Sequence, residues 1–159
     1  MVINNFMSNL TSNYNFLSPT GFKLIINRDK LSNLEFFCVS ATLPDLSLGE
    51  VEGNIQQHKG YFTGDVTFGG LSLTVAIDED LEVYQELFKW ITDNRDSGKP
   101  TVYDATLMIL TSHQNINKQI QFKNLFCTSV AALEFSTQST DVEYLQAAVQ
   151  FRYDEFKFV

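Results

Sequence analysis

The side chains able to do chemistry are few and far apart. Only two histidines occur, His58 and His113, and both lie in polar stretches. Neither has a Cys, Asp or Glu three or four residues away, as ligands sharing a helix would, and a metal site needs convergent donors. Both read as surface histidines. The run Asp78-Glu79-Asp80 could bind calcium or act as a carboxylate pair. It lacks the alternating oxygen donors and terminal Glu of a calcium loop, and capping of a following helix accounts for it. Asp93, Asp96 and Asp154-Glu155 read as solvated turns or strand ends. Ser and Thr are plentiful, yet there is no Gly-x-Ser-x-Gly elbow and no nucleophile–base pair. No Gly-Lys-Ser/Thr follows Gly64, Gly69 and Gly70, and no helix starts there, so they make no phosphate loop. Cys38 and Cys127 fall in apolar alternating segments and read as reduced core thiols. A disulfide between them is open, but nothing demands an oxidising compartment. The reading is of no enzyme, no metal and no cofactor.

The elements around these residues point to a mainly β protein. The 159 residues suffice for one domain with a real core. Fourteen Phe and six Tyr favour pleated, half-buried surfaces over helices. The net charge of −8 would on average repel a polyanion, because gripping phosphates takes Lys and Arg. A conduit for DNA benefits from walls that do not hold it. No basic region followed by an apolar run opens the chain, and no apolar stretch reaches membrane-spanning length. Synthesis in the cytosol, without a membrane partner, is the expectation.

Residues 1–20, rich in Asn and Ser, read as an N-terminal arm with Phe6, Leu10, Tyr14 and Phe16 spaced along it. Residues 21–159 read as one domain. Strands are expected at Phe22–Ile26, closed by a turn at Asn27–Lys30, and at Glu35–Leu43, ended by Pro44. Residues 45–65 carry four glycines with little periodicity and read as an extended loop or hairpin that docks on a partner. Val66–Ile77 alternates clearly, with a parity change at Gly69-Gly70 that predicts a bulge in one long, bent strand. A single helix is expected at about 79–93. Asp78 caps it, and Leu81, Tyr84, Leu87, Phe88 and Ile91 form its core stripe with Trp90 at the margin. Strands at Asp104–Leu110, Gln119–Phe126, Ser129–Phe135 and Leu145–Tyr153 complete the pattern. Together these predict an antiparallel β-sandwich or barrel with one flanking α-helix.

The Val66–Ile77 strand has no charge or proline in its interior, and the closing strand has only Arg152. Edges of that kind suit a protein that pairs with its neighbours. The segments Gly21–Asn27, Leu34–Cys38 and Ala41–Glu50 resemble the opening of tail tube-type proteins of contractile-tailed bacteriophages. So do Leu71–Tyr84 with the Trp90-bearing helix, Tyr103–Leu110 and Ala148–Asp154. The resemblance implies a β-sandwich with a flanking helix, forming hexameric rings that stack and line a channel for viral DNA. It implies a place in the virion tail, assembled in the host cytoplasm, beside sheath, baseplate or neck proteins. The strand Val66–Ile77 and a neighbour would then join the channel wall. Residues 45–65 would reach an adjacent subunit through Leu46, Leu48, Val51, Ile55, Tyr61, Phe62, Val66 and Phe68. A tube subunit, a baseplate initiator and a terminator ring share these features. The alternative from another class is a monomeric ligand-binding β-barrel, with Phe36, Tyr61, Phe68 and Phe122 lining its pocket.

Overall fold

A computed structural model describes residues 16–26, 31–55, 58–137 and 144–159, with residues 32, 54, 55 and 58 described by backbone only. The expected turn at Asn27–Lys30 and the arm residues Phe6, Leu10 and Tyr14 lie outside the described residues.

Among the described residues two helices and nine strands follow one another as β1 (Phe22–Ile26), α1 (Ser32–Phe36), β2 (Cys38–Thr42), β3 (Leu46–Ile55), β4 (His58–Phe68), β5 (Leu71–Ala76), α2 (Glu82–Asp96), β6 (Tyr103–Leu110), β7 (Ile116–Val130), β8 (Gln146–Arg152) and β9 (Glu155–Phe158). All pairings are antiparallel, in the order β1-β6-β7-β8-β5-β2, with β9 also on β7 and with β3-β4 as a separate two-stranded sheet. The long β7 belongs to two layers. Its first half pairs with β6 and β9, and its second half with β8. Leu24, Ile26, Leu107, Ile120 and Phe122 from one layer meet Leu71, Leu73, Val75, Val149 and Phe151 from the other in a single buried core. Period-two alternation, as in the buried–exposed pattern of β8, places every second side chain there. This is the expected sandwich.

Several elements depart from the sequence reading for local reasons. Glu35–Leu43 is not one strand. Leu31 and Leu34 are both buried at helical spacing, so a helical turn precedes β2, and Asn33 on it donates to Glu86 on α2 at 2.8 Å. Val66–Ile77 is two strands in different sheets. The parity change at Gly69-Gly70 is the passage from hairpin to sandwich, not a bulge. A Cβ on Gly69 would run into the Asp45 carboxylate, and the Gly69 N–H donates to the Asp45 carbonyl at 3.0 Å. Nor are β5 and β8 edges, since each has a partner on both sides; among the described residues the sandwich edges are β1, β2 and β9. The strands expected at 119–126 and 129–135 are one strand, β7, which turns at Asn124 (φ 54°) and ends at Val130. The closing strand stops at Arg152, and the chain turns back as β9 along β7.

The helix begins later than expected, at Glu82, and turns a different face inward. Val83, Leu87 and Trp90 are buried, whereas Phe88 is 59% exposed. Trp90 was expected at the margin but anchors the helix. Its ring lies 5.0 Å from Tyr103 and 5.8 Å from Phe151, and its Nε1–H donates to the Thr101 carbonyl at 2.8 Å. A buried indole needs such an acceptor.

Candidate assembly surface

The hairpin β3–β4 stands apart from the sandwich. Among the described residues its strands pair only with each other, and a two-stranded ribbon has little stability of its own in water. Its root is fastened in two ways. The Phe68 ring packs 5.4 Å from Phe156 and 6.3 Å from Tyr153, and the Tyr153 hydroxyl donates to the Gly69 carbonyl at 2.8 Å. Burial and the nearby Asp45 charge push the Tyr153 phenol above its ordinary value, so it stays a donor through the neutral range.

Beyond the root, the hairpin changes its apolar face. Leu46 pairs with Phe68 and Leu48 with Val66, so these four side chains share one face. The register then shifts, with Gly64 and Asp65 of β4 opposite Gly49 of β3. Past this bulge Glu50 pairs with Thr63 and Glu52 with Tyr61 on the first face, while Val51 and Phe62 pair on the opposite one. Leu46, Leu48, Val51, Tyr61, Phe62 and Val66 are all exposed. Phe62 lies across Gly53, where an added Cβ would come within 2.7 Å of its ring. Tyr61 apart, the ribbon is therefore apolar on one side at its base and on the other side further out.

Of the eight residues expected at an interface, six are exposed together on this ribbon and Phe68 is its root anchor. Ile55 is placed by its backbone, paired with His58, and its side chain lies outside the described residues. Sequence reasoning missed Tyr153 and Phe156, which hold the root. The signal available was their aromatic type, Tyr153 at the end of the expected closing strand and Phe156 just past it. It also missed Phe135 and Tyr144, exposed aromatics on the body, and gave Phe36 to a pocket where the structure exposes it.

The catalytic readings find no geometry. Among the described residues no three His, Cys, Asp or Glu side chains gather as metal ligands, and no helix is long and apolar enough to cross a membrane. His113 lies beside Ser112 in an exposed turn. Asp78 accepts from the Glu82 and Val83 N–H groups at 2.9 and 3.2 Å, which holds its carboxyl below the usual carboxylate range. That is capping, as expected. Burial pushes the Cys38 thiol up to about 11 and the Cys127 thiol up to about 12, so neither is a nucleophile at neutral pH. The ligand-binding barrel fails on packing. Phe122 is fully buried in a filled core while Phe36 is 82% exposed, and the four aromatics proposed for a pocket do not converge. A groove of about 350 Å³ lies open beside the Thr111–Asn115 turn.

The family model described as phage tail tube protein matches residues 2–159. The chain belongs to this family. It is a structural protein of the tail-tube kind and not an enzyme. Among solved structures, this tail tube protein resembles the tube-terminating cap of the anti-feeding prophage, at TM-score 0.75 and 12% identity over 97% of each chain. It also resembles a chain of the sheath–tube complex of an extracellular contractile injection system, the PVC, in the extended state. There the TM-score is 0.74, at 15% identity over 93% of each chain. The sheath/tube terminator of that system matches at TM-score 0.71 and 15% identity, over 94% of this chain and 99% of the other. At such identities the likeness is one of fold. No curated protein matches by sequence.

Proposed function

We propose that this tail tube protein assembles with copies of itself into hexameric rings. The rings stack into the tube of a phage tail or its baseplate extension and enclose the channel through which viral DNA passes without specific binding. The particle is built in the host cytoplasm, and the tube contacts sheath, baseplate or neck proteins. The observation that carries this reading is the β3–β4 ribbon. It exposes apolar side chains on opposite faces at its base and outer half, a cost in water that burial against neighbouring subunits removes. Free sandwich edges at β1 and β2 offer further pairing. A contact that closes by rotation gives a ring, and one that also translates gives a tube.

The terminator reading shares this fold, and the likeness to the anti-feeding prophage cap favours keeping it. The two differ in one respect, whether rings stack. Electron microscopy of the purified protein, with light scattering across concentration, tests both. Rings that grow into tubes with concentration fit the tube subunit, and rings that stay single fit the terminator. Monomers at high concentration overturn assembly altogether.

A further inference from the structure

The chain enters the described fold beside an apolar crevice. Where β1 begins and β2 ends, Phe22, Leu107 and Ile109 of one layer and Ala41 and Leu43 of the other border a space of about 200 Å³. Its floor belongs to the core. Leu107 is buried, and Phe22, Ile109 and Ala41 pack against the core cluster. Leu43 and Leu17 at its rim are exposed. Residues 17–21 make the remaining wall, and they are held in place. The Leu110 N–H donates to the Gly21 carbonyl at 2.8 Å, and a Cβ on Gly21 would come within 2.9 Å of the Leu110 carbonyl oxygen. The Ser18 and Thr20 hydroxyls share a hydrogen bond of 2.9 Å in the intervening turn. Phe16, fully exposed, therefore leaves the fold at a fixed point, one residue from the rim.

Fifteen residues precede Phe16 in this sequence, outside the described residues. Their composition suits the crevice. Phe6, Leu10 and Tyr14 recur every four positions, separated mainly by Asn, Ser and Thr. No charged side chain occurs before Lys23, in a chain of net charge −8, and none lines the crevice. The hairpin of another copy is a poorer occupant. Its apolar side chains stand beside Glu50, Glu52, Lys59 and Asp65, whose hydration would be lost on entry. We infer that the crevice is the seat of the chain's own residues 1–15, which lay Leu10 and Tyr14 into it. The tether favours the same copy over a neighbour, because a short link holds the arm at an effective concentration of about a millimolar or more. Leu10 lies six residues before Phe16, about 20 Å of extended chain, so the reach is ample. Once occupied, the crevice joins the end of β2 to β1 and β6, and Leu17 and Leu43 leave water. The inference concerns a single subunit and does not rest on the ring-and-channel reading.

The test is disulfide trapping in the full-length chain. Leu43→Cys is combined with Leu10→Cys, or with Asn9→Cys as the control. Mild oxidation is then followed by non-reducing electrophoresis, with mass spectrometry to identify the paired cysteines. The Leu10 pair is expected to close within one chain, roughly ten-fold faster than the Asn9 pair, because a disulfide demands close and converging Cβ atoms. A second measurement needs no cysteine. Leu10→Asp is expected to lower the melting temperature by roughly 5 °C, and Asn9→Asp to leave it unchanged. Three results overturn the inference: equal or absent closure of the two pairs, a disulfide that joins two chains, or equal melting temperatures for the two Asp variants. The second of these would move the arm to the crevice of a neighbouring copy.

Discussion

The hydroxyl of Tyr153, in the turn between β8 and β9, donates to the carbonyl of Gly69, eighty-four residues earlier, at 2.8 Å. This bond ties the root of the hairpin to the body, beside the packing of Phe68 on Phe156. Tyr153→Phe keeps the ring and removes the bond. A net loss of about 1 kcal/mol is expected, with faster proteolysis within residues 45–68, measured by thermal unfolding and limited digestion. The phenol's raised value means the folded state keeps its proton where the unfolded chain loses it. That contribution is complete below the ordinary tyrosine value near 10 and is lost as pH rises through the higher, folded one. In Tyr153→Phe the alkaline loss is expected to shrink.

Gly69 is fixed by space. Its missing Cβ is where the Asp45 carboxylate sits. Gly69→Ala is expected to destabilise the chain by about 1–3 kcal/mol, in the range of overpacked sites, because Asp45 must swing away. Asp45→Ala should leave room for the new methyl. A double-mutant cycle read by denaturant unfolding is expected to show that the pair costs less than the sum of its single changes.

The change of apolar face along the ribbon separates assembly from folding. Val51→Asp with Phe62→Asp alters two exposed side chains, and surface changes of this kind usually move stability within about 0.5 kcal/mol. Uncovering Gly53 adds little. The variant is expected to remain a folded monomer by circular dichroism and to lose ring formation in light scattering. Unchanged assembly would mean that the outer half of the ribbon faces solvent in the ring.

How much of this was legible depended on the range of the interactions involved. The alternation of Leu71, Leu73 and Val75, and of Ala147, Val149 and Phe151, fixes each face locally, and both strands fall close to where the pattern puts them. The six exposed ribbon residues were legible for a similar reason, being apolar groups among glycines and charges. What escaped depended on contacts distant in sequence. Parity cannot distinguish a bulge from a change of sheet, and only the crowding of Gly69 by Asp45 decides it. The short helix at Ser32–Phe36 follows from its packing on α2 through Asn33 and Glu86. Trp90's role depends on Phe151, sixty-one residues away.

The two thiols give a prediction about conditions of assembly. Both are held by burial in the neutral form, with values of about 11 and about 12. Alkylation of the folded protein by iodoacetamide at neutral pH is therefore expected to be slow at both Cys38 and Cys127, and rapid after denaturation. Mass spectrometry of the intact chain over time checks this. Prompt modification of Cys38 in the folded chain would show that β2, an edge strand, opens locally.

Asp78 offers the clearest acid-side test. Its carboxylate accepts from the Glu82 and Val83 N–H groups, which lowers its folded value below 3.8. A depressed value means the unfolded chain takes up a proton first as pH falls. The stabilisation is therefore fully present above the ordinary carboxylate value and disappears as pH falls through the lower, folded one. Asp78→Asn keeps an acceptor oxygen but removes the charge beside the positive end of α2. It is expected to lower the melting temperature at pH 7 and to weaken the dependence of stability on pH between about 5 and 3. Thermal unfolding followed across that range decides it. Parallel curves for the two proteins would show that the cap contributes through its hydrogen bonds alone, with no share from the charge.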